Sequence, residues 1–150
     1  MKTRKQLCGP KPGIASVYSG IMASLSTMQE AIVYEGPVVH IINTPIPTPA
    51  AGQVLIKVHV TGSNPKDWKT WWVPKPINQG NDMAGIIHSV GEGVVSFQPG
   101  DRVFALHQLQ APHGSFAEYA IAWEGTTAHI PGHVSFEGKP VLHGFEHAPC

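Results

Sequence analysis

Apolar and polar residues alternate most regularly over Val54–Gly62, "VLIKVHVTG", where Val54, Ile56, Val58 and Val60 fall on one face and Lys57 and His59 on the other. A period of two is that of a half-buried strand, so a central strand is predicted here. Shorter β-rich runs surround it. "EAIVYEG" (Glu30–Gly36) closes on Gly-Pro and is followed by "VVHIINT". "MAGIIHSVG", "RVFAL" and "GSFAEYAIA" (Gly114–Ala122) follow later, and then "TTAHIP". In "PIPTPAAGQ", Pro45, Pro47 and Pro49 oppose both helix and ladder pairing, which predicts an extended connector. "NPKDWKTWW" (Asn64–Trp72) opens on Asn-Pro and carries charge and three tryptophans, predicting a short helix or helical turn. Strands joined by connections of a few residues predict a mostly β fold, a small barrel or sandwich with one or two short helices.

Composition narrows the picture. A chain of 150 residues has room for one domain with a sizeable core. Sixteen glycines and fourteen prolines are scattered among apolar runs, which suits a turn-rich β domain rather than a low-complexity chain. Ten basic and ten acidic residues balance, giving no electrostatic case for nucleic acid or an anionic membrane. Charged residues make up only 13%, so part of the surface is expected to meet a partner domain or subunit. Cys8 and Cys150 lie at opposite ends with no Cys-x-x-Cys, so a reducing, cytoplasmic setting is expected. Residues 1–27 begin with basic residues, contain no unbroken apolar run, and are expected to form a disordered leader, with a weak transit peptide as the alternative.

Gly91-Glu92-Gly93 invites a nucleotide-loop reading. A dinucleotide fingerprint needs a third glycine and a helix whose N-terminus faces the pyrophosphate. Here "VVSFQPGDRV" follows, in which β-branched residues and Pro99-Gly100 oppose a helix, and Glu92 would face any phosphate. The pattern predicts a hairpin: a Gly-Glu-Gly turn, a short arm and a Pro99-Gly100-Asp101 turn, with Gly91 and Gly93 both at positive φ.

Five ordered blocks, among them "GNDMAGIIHSVGEGVVSFQPGDRV", "APHGSFAEYAIAWEGTTAHIP" and "SNPKDWK", resemble the medium-chain dehydrogenase/reductase superfamily. The likeness is to its GroES-like catalytic domain, and within it to zinc-independent quinone oxidoreductases and fungal trans-enoyl reductases. It runs from about Met28 to Glu137. It implies a GroES-like domain over 28–137, and the last residues, 138–150 ("GKPVLHGFEHAPC"), read as an aberrant tail in place of the Rossmann domain that the family carries next.

The resemblance also implies chemistry. The "NPxDWK" segment lies beside nicotinamide and substrate in such enzymes. Asn64 would then hydrogen-bond a carbonyl or a cofactor amide, and Lys69 would polarise an enone oxygen as negative charge develops there. Trp68 and Trp72, at i and i+4, can share a face as a substrate wall, with Trp71 beside them; core packing is the plainer reading for all three. For Asn64 the plainer role is capping the turn before Pro65, for Lys69 a solvated surface position, and for Asp67 a cap on the first turn. Zinc-dependent relatives place a Cys after the first long strand and Gly-His-Glu where this chain has Gly80-Asn81-Asp82. Without that thiolate and imidazole no metal is expected. His107 and His113 are read as core or solvated histidines that meet across a loop at most.

The expected function is that of a truncated member of an NADPH-dependent enoyl/quinone reductase lineage of fungal polyketide metabolism. NADPH is implied by the family while its main binding domain is missing from the reading. A small-molecule or carrier-bound enoyl substrate is expected, with a polyketide synthase or a separate nucleotide-binding domain as partner. The alternatives are a non-redox binder, isomerase or interaction module that reuses the barrel, and half of a split reductase. The last of these predicts an apolar patch near Phe136 and the tryptophans.

Overall fold

The computed structural model describes residues 26–35, 38–69 and 76–136, with Trp68 and Lys69 by backbone alone. The expected leader over most of 1–27, the expected tail at 138–150, Trp71 and Trp72 all lie outside the described residues.

Seven strands carry the fold: β1 (Thr27–Tyr34), β2 (Val38–Pro45), β3 (Gln53–Thr61), β4 (Asp82–Val90), β5 (Arg102–Leu106), β6 (Tyr119–Trp123) and β7 (Thr127–His129). A one-turn helix, α1 (Lys66–Lys69), follows β3, and a 3-10 turn (Glu124–Thr126) joins β6 to β7. β1 and β2 form a hairpin ladder, and the other five make one sheet in the order β6-β3-β4-β5-β7. Every pairing is antiparallel, so no parallel βαβ unit occurs among the described residues. β1 reaches the rest of the fold through bridges at Glu30–Ala117 and Val33–Ile77. This is the mostly β architecture that the alternation predicts, and it agrees with the GroES-like domain that the resemblance implies. Among the described residues no helix is long and apolar enough to cross a membrane.

The core is Val54, Ile56, Met83, Ile87, Phe97, Val103, Ala105, Ala120 and Ala122. Each fully buried Ile or Val contributes about 1.5–3 kcal/mol. β3 departs from strict alternation, because Leu55 is as buried as its neighbours Val54 and Ile56. Lys57, two residues on and on the same face, is exposed, so that face is covered only at its Leu55 end. Two bulges interrupt β3–β4. Leu55 and Ile56 pair with Ser89 and Ile87, leaving His88 extra; Val58 and Val60 pair with Gly85 and Ala84, leaving His59 extra. Each extra histidine is exposed and meets a ring: His88 edge-on to Tyr119 at 5.1 Å, His59 stacked on Phe136 at 4.8 Å.

Three local expectations are corrected. Gly93 has φ +79°, but Gly91 is not in the left-handed region. Gly91 is glycine for contact instead, since a Cβ there would lie 1.8 Å from the Ala50 carbonyl oxygen. That approach is held by Gly52 N–H to Glu92 O and Gly91 N–H to Gln53 O, at 2.8 Å each. The Gly-Glu-Gly segment therefore locks the 50–53 turn onto the β4 end, and no helix follows it. Secondly, of the expected Gly114–Ala122 strand only Tyr119–Ala122 is strand, and it runs one residue further to Trp123. The Ser115 N–H bonds Gly80 O and the Phe116 N–H bonds Asn78 Oδ1, so these donors have left the ladder. Thirdly, Pro45 closes β2 opposite Thr27, a strand end where its missing N–H costs nothing, and the connector proper is 46–50.

Arg102 fastens the last described segment. Its guanidinium donates to Pro131 O, Gly132 O and Val134 O at 2.5–3.2 Å and lies 4.5 Å over the Phe136 ring. Phe136, half-buried between Arg102 and His59, is thus no bare apolar patch.

Candidate functional site

β3 and β4 run antiparallel, so the end of one lies beside the start of the other. Thr61 faces Met83 in the register, and this brings the 61–67 turn against Asp82. The Asp82 main-chain oxygen accepts from both Gly62 N–H and Thr61 Oγ1, at 3.0 Å each. Asp82 is 4% exposed, and its carboxylate accepts a hydrogen bond from the Asn64 side-chain amide nitrogen. Ser115, wholly buried, shares a hydrogen bond with Thr61 Oγ1 at 2.6 Å.

The turn continues into α1. The Asp67 carboxylate accepts from Asn64 N–H at 2.6 Å and from Lys66 Nζ at 2.7 Å. Asp67 N–H in turn bonds Asn64 O at 2.9 Å, so the carboxylate closes the first turn as a cap does. Lys66 Nζ also donates to Gln79 O at 2.7 Å, tying the helix start to the segment that leads into β4.

Behind this layer sits Asn78, 4% exposed, with all four of its amide bonds made. Nδ2 donates to Glu30 Oε1 and Gly114 O; Oδ1 accepts from Gly80 N–H and Phe116 N–H. Gly80 allows this closeness, because a Cβ on it would lie 2.5 Å from both Phe116 N and Ser115 Oγ. Asn81, where zinc-dependent relatives are expected to hold a histidine, gives its side-chain amide to His107 O at 2.8 Å. Among the described residues no three His, Cys, Asp or Glu side chains converge as a metal site would require.

Of the residues singled out in the sequence, Asn64 stands at the centre of the cluster. Trp68 and Lys69 belong to α1, their side chains not described; Trp72 falls outside the described residues. The sequence reading missed Thr61, Asp82 and Ser115. Only Asp82 had a signal, its place in the Gly80-Asn81-Asp82 tripeptide. His107 and His113 do come together, around a cavity of about 110 Å³ also lined by Gln53, Gln108 and Trp123. His107 is a core histidine, with Nδ1 2.6 Å from Ile121 O. His113 holds φ +66° and a buried Nδ1 without a hydrogen-bond partner.

An open groove of about 460 Å³ adjoins the cluster, sharing Thr61 and Ser115 with it and lined on its apolar side by Ile41, Val58 and Phe116. The arrangement offers a fixed amide beside a buried carboxylate, a pair of hydroxyls, and an apolar trough next to them.

The alcohol dehydrogenase GroES-like domain matches residues 50–132. A trans-enoyl reductase of Gibberella fujikuroi is 48% identical over 122 residues, covering 79% of this chain and 36% of the relative. A quinone oxidoreductase of Rattus norvegicus is 39% identical over 103 residues, covering 65% of this chain and 30% of the relative. Among solved structures, the quinone oxidoreductase from Coxiella burnetii superposes with a TM-score of 0.67 at 26% identity, over 75% of this chain and 40% of that one. An alcohol dehydrogenase superfamily protein from Novosphingobium aromaticivorans gives 0.67 at 30% identity, over 73% and 36%. The chain thus spans about a third of the length of the curated relatives it matches.

Proposed function

Because the chain belongs to the alcohol dehydrogenase GroES-like domain family of the medium-chain dehydrogenase/reductase superfamily, we propose that it supplies the substrate side of an NADPH-dependent reduction of an activated carbon–carbon double bond, in an enoyl thioester or a quinone. The similarity to trans-enoyl and quinone reductases supports the reaction class. The single observation that carries the assignment of place is Asn64, held by Asp82 in the 61–67 turn after β3, where the "NPxDWK" resemblance puts nicotinamide and substrate.

The residues fit the cofactor at one end only. Gly91 packs on Ala50 and opens no helix, so the described residues give a pyrophosphate no cradle. Asn64 and the 61–67 turn fit the nicotinamide end. When bound, the nicotinamide supplies hydride to the β-carbon. The chain's own part is to hold and orient: Asn64 meets a polar group of cofactor or substrate, the groove floored by Val58 and Phe116 takes an apolar chain, and Lys69 is assigned the developing oxyanion. Following the resemblance, Trp68 and Trp72 are proposed as a substrate wall. A carrier-bound acyl group presented by a polyketide synthase is the substrate form that this reading favours, with the nucleotide-binding part supplied by further polypeptide.

The test is a shift map in solution. Labelled protein is titrated to millimolar concentration with NADPH and, separately, with a short α,β-unsaturated thioester. Shifts confined to residues 61–67, 79–82 and 115–118 are expected, with NADPH affinity no tighter than millimolar. Saturating thioester that shifts none of these residues overturns the reading.

A further inference from the structure

The Asn64 amide has two unlike ends, and the structure assigns them. A carboxylate can only accept, so the end that meets Asp82 is the NH2 group. The Asp82 side that it meets is 4% exposed. The carbonyl oxygen lies at the opposite end of the planar group, and among the described residues no donor reaches it. Asn64 itself is half-buried, so that oxygen is not sealed in the core.

Nothing else about Asp82 leaves it free to turn. Its main-chain oxygen is held by Gly62 N–H and Thr61 Oγ1, and Thr61 by Ser115. A Cβ on Gly62 would lie 3.1 Å from Asp82 Cβ, so the turn sits directly on the aspartate. Asn64 is fixed from its backbone side as well, its N–H donating to the Asp67 carboxylate. The amide is therefore clamped from two carboxylates on two elements, one acting on its side chain and one on its main chain.

We infer that Asp82 is a positioning residue that fixes Asn64 as a hydrogen-bond acceptor, and that the site selects a ligand group bearing an N–H or O–H donor, a primary carboxamide above all. This rests on the proposed placing of nicotinamide at Asn64 and gives it a polarity. The Asn64 oxygen receives the carboxamide NH2 of the cofactor, and the substrate carbonyl is left to other donors. Of the two roles open to Asn64 from sequence, donor to a carbonyl or partner of a cofactor amide, the geometry points to the second. A preset acceptor costs no reorientation when the ligand arrives, whereas an amide free to flip accepts donors and carbonyls alike.

The experiment uses the intact chain labelled with nitrogen-15 and two probes: nicotinamide and N,N-dimethylnicotinamide, which lacks the N–H donors. In the wild-type protein the two Asn64 side-chain protons are expected to be widely separated in chemical shift, one bound to a carboxylate and one not. Nicotinamide is expected to shift the 61–67 turn with an affinity about two- to tenfold above that of the dimethyl compound, the ratio for one hydrogen bond. In Asp82→Ser the proton separation collapses and the two probes bind equally. Asp82→Asn keeps size and packing but accepts an amide in either orientation, so the ratio falls there too; it decides the matter if the serine variant does not fold. Equal binding of both probes by the wild type overturns the inference, as does a ratio that both variants retain. If neither probe shifts the turn, the nicotinamide placing of the site falls, and the Asn64 proton separation with its loss in Asp82→Asn alone decides the orientation.

Discussion

Replacing Asn78 by alanine removes an amide that joins four partners and touches none of the proposed reacting groups. Two backbone N–H groups, of Gly80 and Phe116, lose their acceptor at 3.0 and 3.2 Å; Gly114 O and Glu30 Oε1 lose their donor at 2.9 and 3.2 Å. Glu30 is 5% exposed and, among the described residues, keeps Thr44 Oγ1 as its side-chain donor, at 3.3 Å. A buried group left unsatisfied costs about 1–3 kcal/mol. Water entering the space left by the amide recovers part of that, so about 3–5 kcal/mol in total is expected, nearer one than three per group. Against a typical domain stability of about 5–15 kcal/mol the variant remains folded but fragile. Urea unfolding followed by tryptophan fluorescence measures it: with a slope near 2 kcal/mol/M the midpoint falls by about 2 M. The loss should be strongly non-additive with Glu30→Gln, since the two side chains share a bond. A drop below about 1 kcal/mol would refute the view that one amide holds the 77–80 segment, the 114–116 loop and β1 together.

Two further predictions follow from the turns. Gly91→Ala must push its methyl into Ala50 O and is expected to cost more than about 2 kcal/mol, by overpacking against backbone. Gly93→Ala has open space around it and pays only for φ +79°, about 1–2 kcal/mol; equal costs in paired denaturation curves would refute the contact argument. The Glu124 carboxylate is held below its ordinary value of 4.5 by Ser96, through its N–H and hydroxyl, and by Val95 N–H. A lowered folded value means that the anchor is in place above the ordinary value and is lost as pH falls through the lowered one. The Val95 and Ser96 amide resonances should therefore hold steady from pH 7 to about 5 and move only below it; movement centred above 5 would contradict the assignment.

What could be read from the chain was what the period of two carries. β3 shows it, β4 and β5 were legible as short apolar runs between turn signals, and the hairpin reading of Gly91–Asp101 follows from its Gly-Glu-Gly and Pro99-Gly100-Asp101 turns. Leu55 could not be read, because it shares a face with the exposed Lys57 and only tertiary packing distinguishes the two positions. Gly91 looked like Gly93 because sequence shows that a glycine is needed but not whether for its dihedral or for its missing Cβ. The site was half legible. Asn64 stood out through the Asn-Pro turn, but its partner Asp82 is 18 residues away and meets it only after two bulges have shifted the β3–β4 register. Ser115, 54 residues from Thr61, sits in a stretch whose alternation mimics a strand while its backbone donors go to Asn78 and Gly80.

The hold of Arg102 on residues 131–134 sets a compass bearing. From Pro131 to Phe136 the chain runs without a strand partner, and the carbonyls of Pro131, Gly132 and Val134 all point to one planar cation that also caps the Phe136 ring. A lysine could reach one of those carbonyls but could not span three with a rigid fork. The heading on which the polypeptide leaves the sheet is thus written into a single side chain of β5. None of the residues that make this hold belongs to the core cluster.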